Sequence, residues 1–311
     1  MRSKTVIRSK HIAVLMGGTS SERSVSLSSG QACSSVLENK GFKVSKVDFD
    51  RSSMDILSNL KPDVALNVLH GGFGEGGGIQ GILECLEIPY THSGILASAL
   101  SMDKFRSKKI VGALGVPVCP SILVDRLSMD ENHVMTPPYI IKPVNGGSSL
   151  GIVLVKEGES VPLDFLQSSD WCYGNQLLVE KYIDGVELTC GIIGDKPLDV
   201  IEIVAKNSNF YNYDAKYSLA KSEHILPANI PPDIYEEIQK LSSLAHKSIG
   251  CCGISRSDFI FDNVSQKIFW LEINTQPGMT PTSLFPEMAS YAGYCFEDLL
   301  SWMLEDASCM R

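Results

Sequence analysis

Apolar residues recur along the chain in two rhythms: short continuous runs, and a helical spacing of three and four. The runs at 11–16, 42–49 and 64–69 predict buried strands, and the segments 25–39 and 79–86 predict helices. Residues 17–24 and the glycine-dense 71–78 break the pattern as turns, and Gly41 closes the first helix. Strands alternating with helices imply a parallel α/β layer whose ligands gather at the carboxyl ends of the strands. Further on, a helix over 101–114, strands over 139–143, 152–155 and 177–183, and a glycine loop over 145–151 read as a smaller α+β unit. From Val186 the chain is strand-rich, with helices expected over 232–249 and from 295 to about 304. The polar stretch 205–223 interrupts this part; it carries three tyrosines and has the length of a lid. The pattern divides into spans 1–96, 97–186 and 187–311, an α/β and α+β organisation in three domains.

The runs 254–261 and 269–273 flank a polar segment at 263–267 and predict an antiparallel hairpin. Strand alternation sends Phe269, Leu271 and Ile273 to one face and Trp270, Glu272 and Asn274 to the other. If 262 faces 268, Asp258 lies opposite Glu272 and Arg256 opposite Asn274. Facing carboxylates repel, so something positive belongs between them. Asp, Glu and Asn together offer only oxygen donors, a set that suits Mg²⁺. The other reading is a solvated hairpin end with Arg256 as counter-ion.

Composition bounds the chemistry. The chain has 311 residues, 44% hydrophobic and 20% charged, and a net charge of −9. That balance argues against a general nucleic-acid binder and confines any anion site to a local cluster of Lys and Arg. Nine cysteines without a C-x-x-C pair fit a reducing compartment. The basic first ten residues lack an apolar signal core, and no apolar run has bilayer-spanning length. A cytoplasmic protein with no membrane role is expected.

Several stretches carry candidate chemistry. In IIKPVNGGSSLG (140–151) a lysine in an apolar strand, Lys142, precedes a Gly/Ser loop that can turn backbone N–H groups toward a phosphate. The alternative is a hairpin with a snorkelling lysine. There is no Gly-Lys P-loop and no G-x-G-x-x-G turn. Glu180 and Lys181 end another apolar strand; they mark either a surface edge or a nucleotide clamp in which Glu187 holds ribose hydroxyls. His70 follows a strand end and is structural or substrate-facing. Glu22 sits at a strand–helix turn, either as a first-turn charge or as a partner for a substrate ammonium.

Taken together and in order, GGTSSERSVSLSSG (17–30), LHGGFGEGGGIQG (69–81), MDK (102–104), IKPVNGGSSLG (141–151), EKYIDGVELT (180–189), YNYDAKY (211–217), SRSDFIF (255–261) and EINTQPGMTPTSL (272–284) resemble the D-alanine–D-alanine ligases of the ATP-grasp superfamily. The resemblance covers nearly the whole chain after the first ten residues. It implies an ATP-grasp fold and ATP-dependent joining of two D-alanines through an acyl phosphate, for peptidoglycan precursor synthesis. On this resemblance Asp258, Glu272 and Asn274 hold two Mg²⁺ ions, or Mn²⁺ in their place, with Glu272 bridging. Lys104, Lys142 and Lys216 contact ATP phosphates, and Glu180, Lys181, Ile183 and Glu187 bind adenosine. Arg256 and the N–H of Gly278 stabilise the tetrahedral oxyanion. Glu22, aided by His70, holds the first D-alanine's ammonium; Ser283 and the Leu284 backbone hold the second one's carboxylate. Glu22, Ser148 and Tyr217 form a hydrogen-bonded triad, and Tyr217 favours an amine as second substrate. Related enzymes take D-lactate or D-serine second, and a catalytically silent nucleotide-binding relative is a third reading. A homodimer follows by analogy. One departure stands out: the family's Gly-Glu-Asp-Gly reads Gly74-Glu75-Gly76-Gly77 here, so a looser loop around His70 is expected.

Overall fold

The structure is a computed structural model that describes residues 10–147, 150–205 and 222–311. Its strands form three sheets among the described residues. The first is parallel, in the order β2–β1–β3, from β1 (His11–Met16), β2 (Lys43–Asp48) and β3 (Val64–Asn67). Parallel strands need crossovers, supplied here by α1 (Arg23–Asn39) and α2 (Ser53–Leu60). The glycine-rich segment after β3 is not a plain loop: Gly72–Glu75 coils as one short turn, α3, before α4 (Gly78–Cys85). The single helix expected over 101–114 is two, α5 (Ile95–Met102) and α6 (Lys104–Ala113). Asp103 breaks them apart: its backbone is extended and its side chain accepts from the N–H of Arg106, the work of an N-cap.

The second sheet is antiparallel, ordered β4–β7–β5–β6, from β4 (Ser121–Asp125), β5 (Tyr139–Pro143), β6 (Val153–Val155) and β7 (Gln176–Lys181), with α7 (Leu163–Leu166) between β6 and β7. The third is also antiparallel, ordered β10–β9–β8–β11–β12. It comprises β8 (Val186–Ile193), β9 (Lys196–Ala205), β10 (Ser222–Ile225), β11 (Ile254–Asp262) and β12 (Lys267–Asn274). The helix α8 (Pro232–Ile249) packs on it through Ile238, Leu241 and Ala245. It starts with a proline at its first position and stops at Gly250, which takes the left-handed conformation. Two last helices, α9 (Leu284–Tyr291) and α10 (Phe296–Asp306), lie against α1, β8 and β9. Mixed parallel and antiparallel sheets with interleaved helices bear out the expected α/β and α+β class.

The β11–β12 hairpin pairs Asp258 with Glu272 and Arg256 with Asn274 as expected, by a route the sequence did not disclose. Its turn sets Asp262 against Lys267, one residue off the expected 262–268 pairing. A bulge beside Asp258 and Phe259 then leaves Leu271 without a partner and restores the register. It also breaks the alternation. Trp270, fully buried, joins Ile268 and Ile273 in the core beneath α8, whereas Leu271 and Glu272 both face a cavity. The expectation that Trp270 shares the face of Glu272 is therefore corrected.

Candidate active site

A cavity of about 370 Å³ opens between the second and third sheets. Lys104, Lys142, Glu180, Lys181, Ile183, Glu187, Asp258 and Glu272 all line it, so eight of the residues singled out for nucleotide and metal converge on one space. Local structure explains their reach. The N-terminus of α6 docks on the end of β5, with the Lys104 N–H donating to the Val144 carbonyl at 3.1 Å. That places the Lys104 ammonium against the Gly146 carbonyl and 3.3 Å from Glu272 Oε2. Lys142, on β5, and Glu180, on β7, are neighbours across paired strands, and Lys142 Nζ donates to Glu180 Oε2 at 2.6 Å. Ile183 lies beyond the end of β7, in the short connection to β8, where it lines the cavity beside Gly185 and Glu187.

Burial decides the charges here. Glu180 is 2% exposed, which alone would raise its pKa, yet the ammonium groups of Lys108 and Lys142 overcome that and hold its carboxyl below the usual range. Burial likewise works against the Lys142 ammonium, and Glu180 with the more distant Glu272 reverses it, so its pKa is raised. The Glu180 carboxylate is thus committed to two lysines. Sequence reasoning missed Lys108, a buried side chain one turn after Lys104 on α6, as well as Cys119 and Leu271 in the cavity wall.

Asp258 and Glu272 face each other without destabilising the hairpin because each has a cation. Arg256 forks onto Asp258, with Nε and Nη2 each 2.9 Å from a carboxylate oxygen. Thr189 Oγ1 donates to Asp258 Oδ1 at 2.6 Å, and Asn274 Nδ2 donates to Oδ2 at 3.2 Å. Lys104 balances Glu272. The counter-ion reading of Arg256 therefore describes its contacts. Among the described residues no three His, Cys, Asp or Glu side chains gather as a metal site. The candidate set is two carboxylates and one amide, whose oxygens fit a hard dication that keeps water and phosphate as its remaining ligands.

A second cluster adjoins the cavity. Glu22 is 8% exposed at the N-cap of α1, its backbone N–H bound to Ser20 Oγ at 3.2 Å. A side chain built at Gly147, in the cavity wall, would begin 3.7 Å from Glu22 Oε2. His70 is held from two sides: Ser20 Oγ donates to its carbonyl at 2.7 Å, and Glu75 Oε1 lies 2.8 Å from its Nδ1. Burial would depress the imidazole's pKa, but the hydrogen bond and charge of Glu75, with Glu22 beyond, raise it above its ordinary value. In the loop around His70, Glu75 also accepts from the Gly71 N–H at 3.2 Å, and the α3 turn brings it there. Gln276 ties this cluster to the loop after β12: Asn67 Nδ2 donates to Gln276 Oε1 at 2.7 Å, and Gln276 Nε2 donates to the Leu69 carbonyl. In that loop Gly278 lies beside Ser283, since a side chain at 278 would begin 2.9 Å from Ser283 Oγ. Ser283 N-caps α9, and Leu284 is its first residue. Ser148, Lys216 and Tyr217 lie outside the described residues, as does most of the 205–223 insertion.

Comparison with known proteins fits this geometry. The family described as D-ala D-ala ligase C-terminus matches residues 110–305. A D-alanine–D-alanine ligase from Brucella anthropi is 56% identical over 305 residues, 97% of this chain and 99% of its own length. A D-alanine–D-alanine ligase B from Brucella melitensis is 55% identical over 313 residues, covering 100% and 99%. Among solved structures, a D-alanine–D-alanine ligase from Bacillus anthracis complexed with ATP superposes with a TM-score of 0.81 at 29% identity, covering 96% of this chain and 97% of its own. A D-Ala:D-Ser ligase from Enterococcus faecalis gives 0.80 at 31%, covering 96% and 99%. With near full-length matches at more than half identity, and an arrangement of sheets shared with solved ligases, the chain belongs to the D-alanine–D-alanine ligase family of the ATP-grasp fold.

Proposed function

We propose that this chain joins two D-alanines into D-alanyl-D-alanine at the expense of ATP, supplying a peptidoglycan precursor in the cytoplasm. The observation that carries this reading is the convergence of Lys104 and Lys142 with Asp258 and Glu272 on one cavity that abuts Glu22. The carboxylate oxygen of the first D-alanine attacks the γ-phosphorus, the bond to the β–γ bridging oxygen breaks, and ADP departs. The amine of the second D-alanine attacks the acyl carbon, the carbon–oxygen bond to phosphate breaks, and the ammonium proton is lost to solvent.

The chain's residues have separate tasks in this sequence. Lys104 and Lys142 offset negative charge on the phosphates. Glu22 anchors the first ammonium, with His70 beside it. Arg256 and the Gly278 N–H receive the developing oxyanion, and removing one such donor costs about 2.7–4 kcal/mol in other enzymes. Ser283 and the Leu284 N–H orient the second carboxylate, and Lys181, Ile183 and Glu187 seat the adenosine. Asp258, Glu272 and Asn274 would hold Mg²⁺, or Mn²⁺ in its place, whose charge when bound lowers the cost of moving the phosphoryl group. Lys216, Ser148 and Tyr217 keep the roles that the resemblance implies. A homodimer belongs to the same reading and is read by light scattering. Among the described residues no helix is long and apolar enough to cross a membrane.

The deciding experiment measures ADP released from ATP and Mg²⁺ with D-alanine, with L-alanine as control. ADP and the dipeptide should appear only with D-alanine; ADP release indifferent to amino acid would overturn the ligase reading. The D-Ala:D-Ser neighbour makes the acceptor the open variable. D-serine and D-lactate arms decide it, since more product from either than from D-alanine transfers the second site to that acceptor. Glu272→Gln should abolish Mg²⁺-dependent turnover while the far-ultraviolet spectrum stays unchanged, and near-normal turnover would remove Glu272 from the metal set.

A further inference from the structure

We propose that Lys108 is a positioning residue for nucleotide binding: it engages one oxygen of Glu180 so that Lys142 keeps a net positive charge for the phosphates. The inference rests on the ligase reading of the cavity. Lys104 and Lys108 stand one turn apart on α6, on the same face. Lys104 reaches the cavity; Lys108, 2% exposed, is not part of the cavity wall. Its ammonium lies 2.6 Å from Glu180 Oε1, donates to the Trp270 carbonyl at 3.0 Å, and sits 5.6 Å from the centroid of the Trp270 ring. Glu180 gives its other oxygen, Oε2, to Lys142 at 2.6 Å.

The charge balance of this trio follows directly. Burial and the neighbouring Lys142 lower the pKa of Lys108 against the pull of Glu180. With both lysines protonated, Lys108 and Lys142 contribute two positive charges and Glu180 one negative, so the trio carries a net positive charge that Lys142 presents to the cavity. Without Lys108, Glu180 and Lys142 would cancel, and the lysine on the cavity wall would be spent on its own neighbour. In a buried site, where charges are poorly screened, that difference acts strongly on an incoming polyphosphate. Lys108 also links the two sheets that enclose the cavity, through Glu180 on β7 and Trp270 on β12. A purely structural role is therefore the competing explanation, and the test must separate the two.

ADP with Mg²⁺ is titrated calorimetrically into the full chain and its variants, with melting temperature recorded for each. Lys108→Met keeps the length and apolar stem but removes the charge. It should weaken ADP binding about tenfold or more, in keeping with the cost of leaving a buried charge pair incomplete. Its KM for D-alanine should change far less than its KM for ATP. Lys108→Met combined with Glu180→Gln returns the trio to one positive charge and should restore ADP affinity to within about threefold of the parent, whereas a structural role predicts further loss. Unchanged affinity in Lys108→Met, or no recovery in the folded double variant, overturns the proposal. If Lys108→Met does not fold, the double variant decides alone: near-parental affinity supports the charge balance, and tenfold weaker binding refutes it. A parent chain that binds ADP but makes no dipeptide would defeat the ligase reading while leaving the Lys108 result intact.

Discussion

His246 shows how a single residue sets a pH limit. It lies in the last turn of α8, 5% exposed, with Nδ1 2.7 Å from Ser255 Oγ. Burial lowers its pKa from 6.5 to about 4. The unfolded chain thus binds a proton that the folded chain refuses over this interval. The stability this difference contributes is whole above pH 6.5 and is lost as pH falls toward 4. At pH 5 the loss amounts to about 2 kcal/mol. His92, whose pKa burial lowers to about 3, adds to the same trend. Melting temperature should therefore fall from pH 6.5 to 5, and His246→Gln should flatten that slope; an equal slope in the variant would exclude His246 as its source.

Elements show what the sequence could and could not disclose. The strand over His11–Met16 and the helix Pro232–Ile249 were legible because an apolar run, a Pro start and a Gly stop mark them. The facing of Asp258 and Glu272, by contrast, came out as expected only because a bulge offset a turn pairing one residue from the expected one. The edge strand β4 escaped because Ile122 and Leu123 are exposed and give no buried run, and α2 went unread between β2 and β3. The bulge at Leu271 has no local sequence mark, since it exists only in relation to the partner strand. The candidate site was legible as a set of motifs, but Lys108 was not, because on a helix of mixed character nothing distinguishes an inward lysine from an outward one such as Lys109. Gln276 is another element-scale feature, tying the loop after β12 to the end of β3. Gln276→Leu leaves the Leu69 carbonyl without that donor and removes the acceptor of the Asn67 amide. It should cost about 1–3 kcal/mol in urea unfolding. Turnover should fall as well, because His70 and Gly278 would no longer share one anchor.

Across the whole molecule, one apolar core unites the two ends of the described chain. Ile12, Val14, Cys33 and Leu37 from β1 and α1 share it with Ile201, Phe285, Leu299, Leu300 and Met303 from β9, α9 and α10. The first sheet and the last helices should accordingly unfold together. Leu37→Ala, at a fully buried site, should destabilise the protein by about 2–5 kcal/mol. Hydrogen exchange should then quicken in α10 as much as in α1, and protection confined to one of them would argue for separate folding units.

The chain has three tryptophans, and Trp270, buried beneath α8 and outside the cavity wall, holds the Lys108 ammonium 5.6 Å from the centroid of its ring. That arrangement gives the protein a native optical sensor: shifts in indole emission on adding nucleotide would report on the Lys108 ammonium that pairs with Glu180 in the cavity wall, with no dye attached. Replacing Trp171 and Trp302 with phenylalanine would isolate that signal.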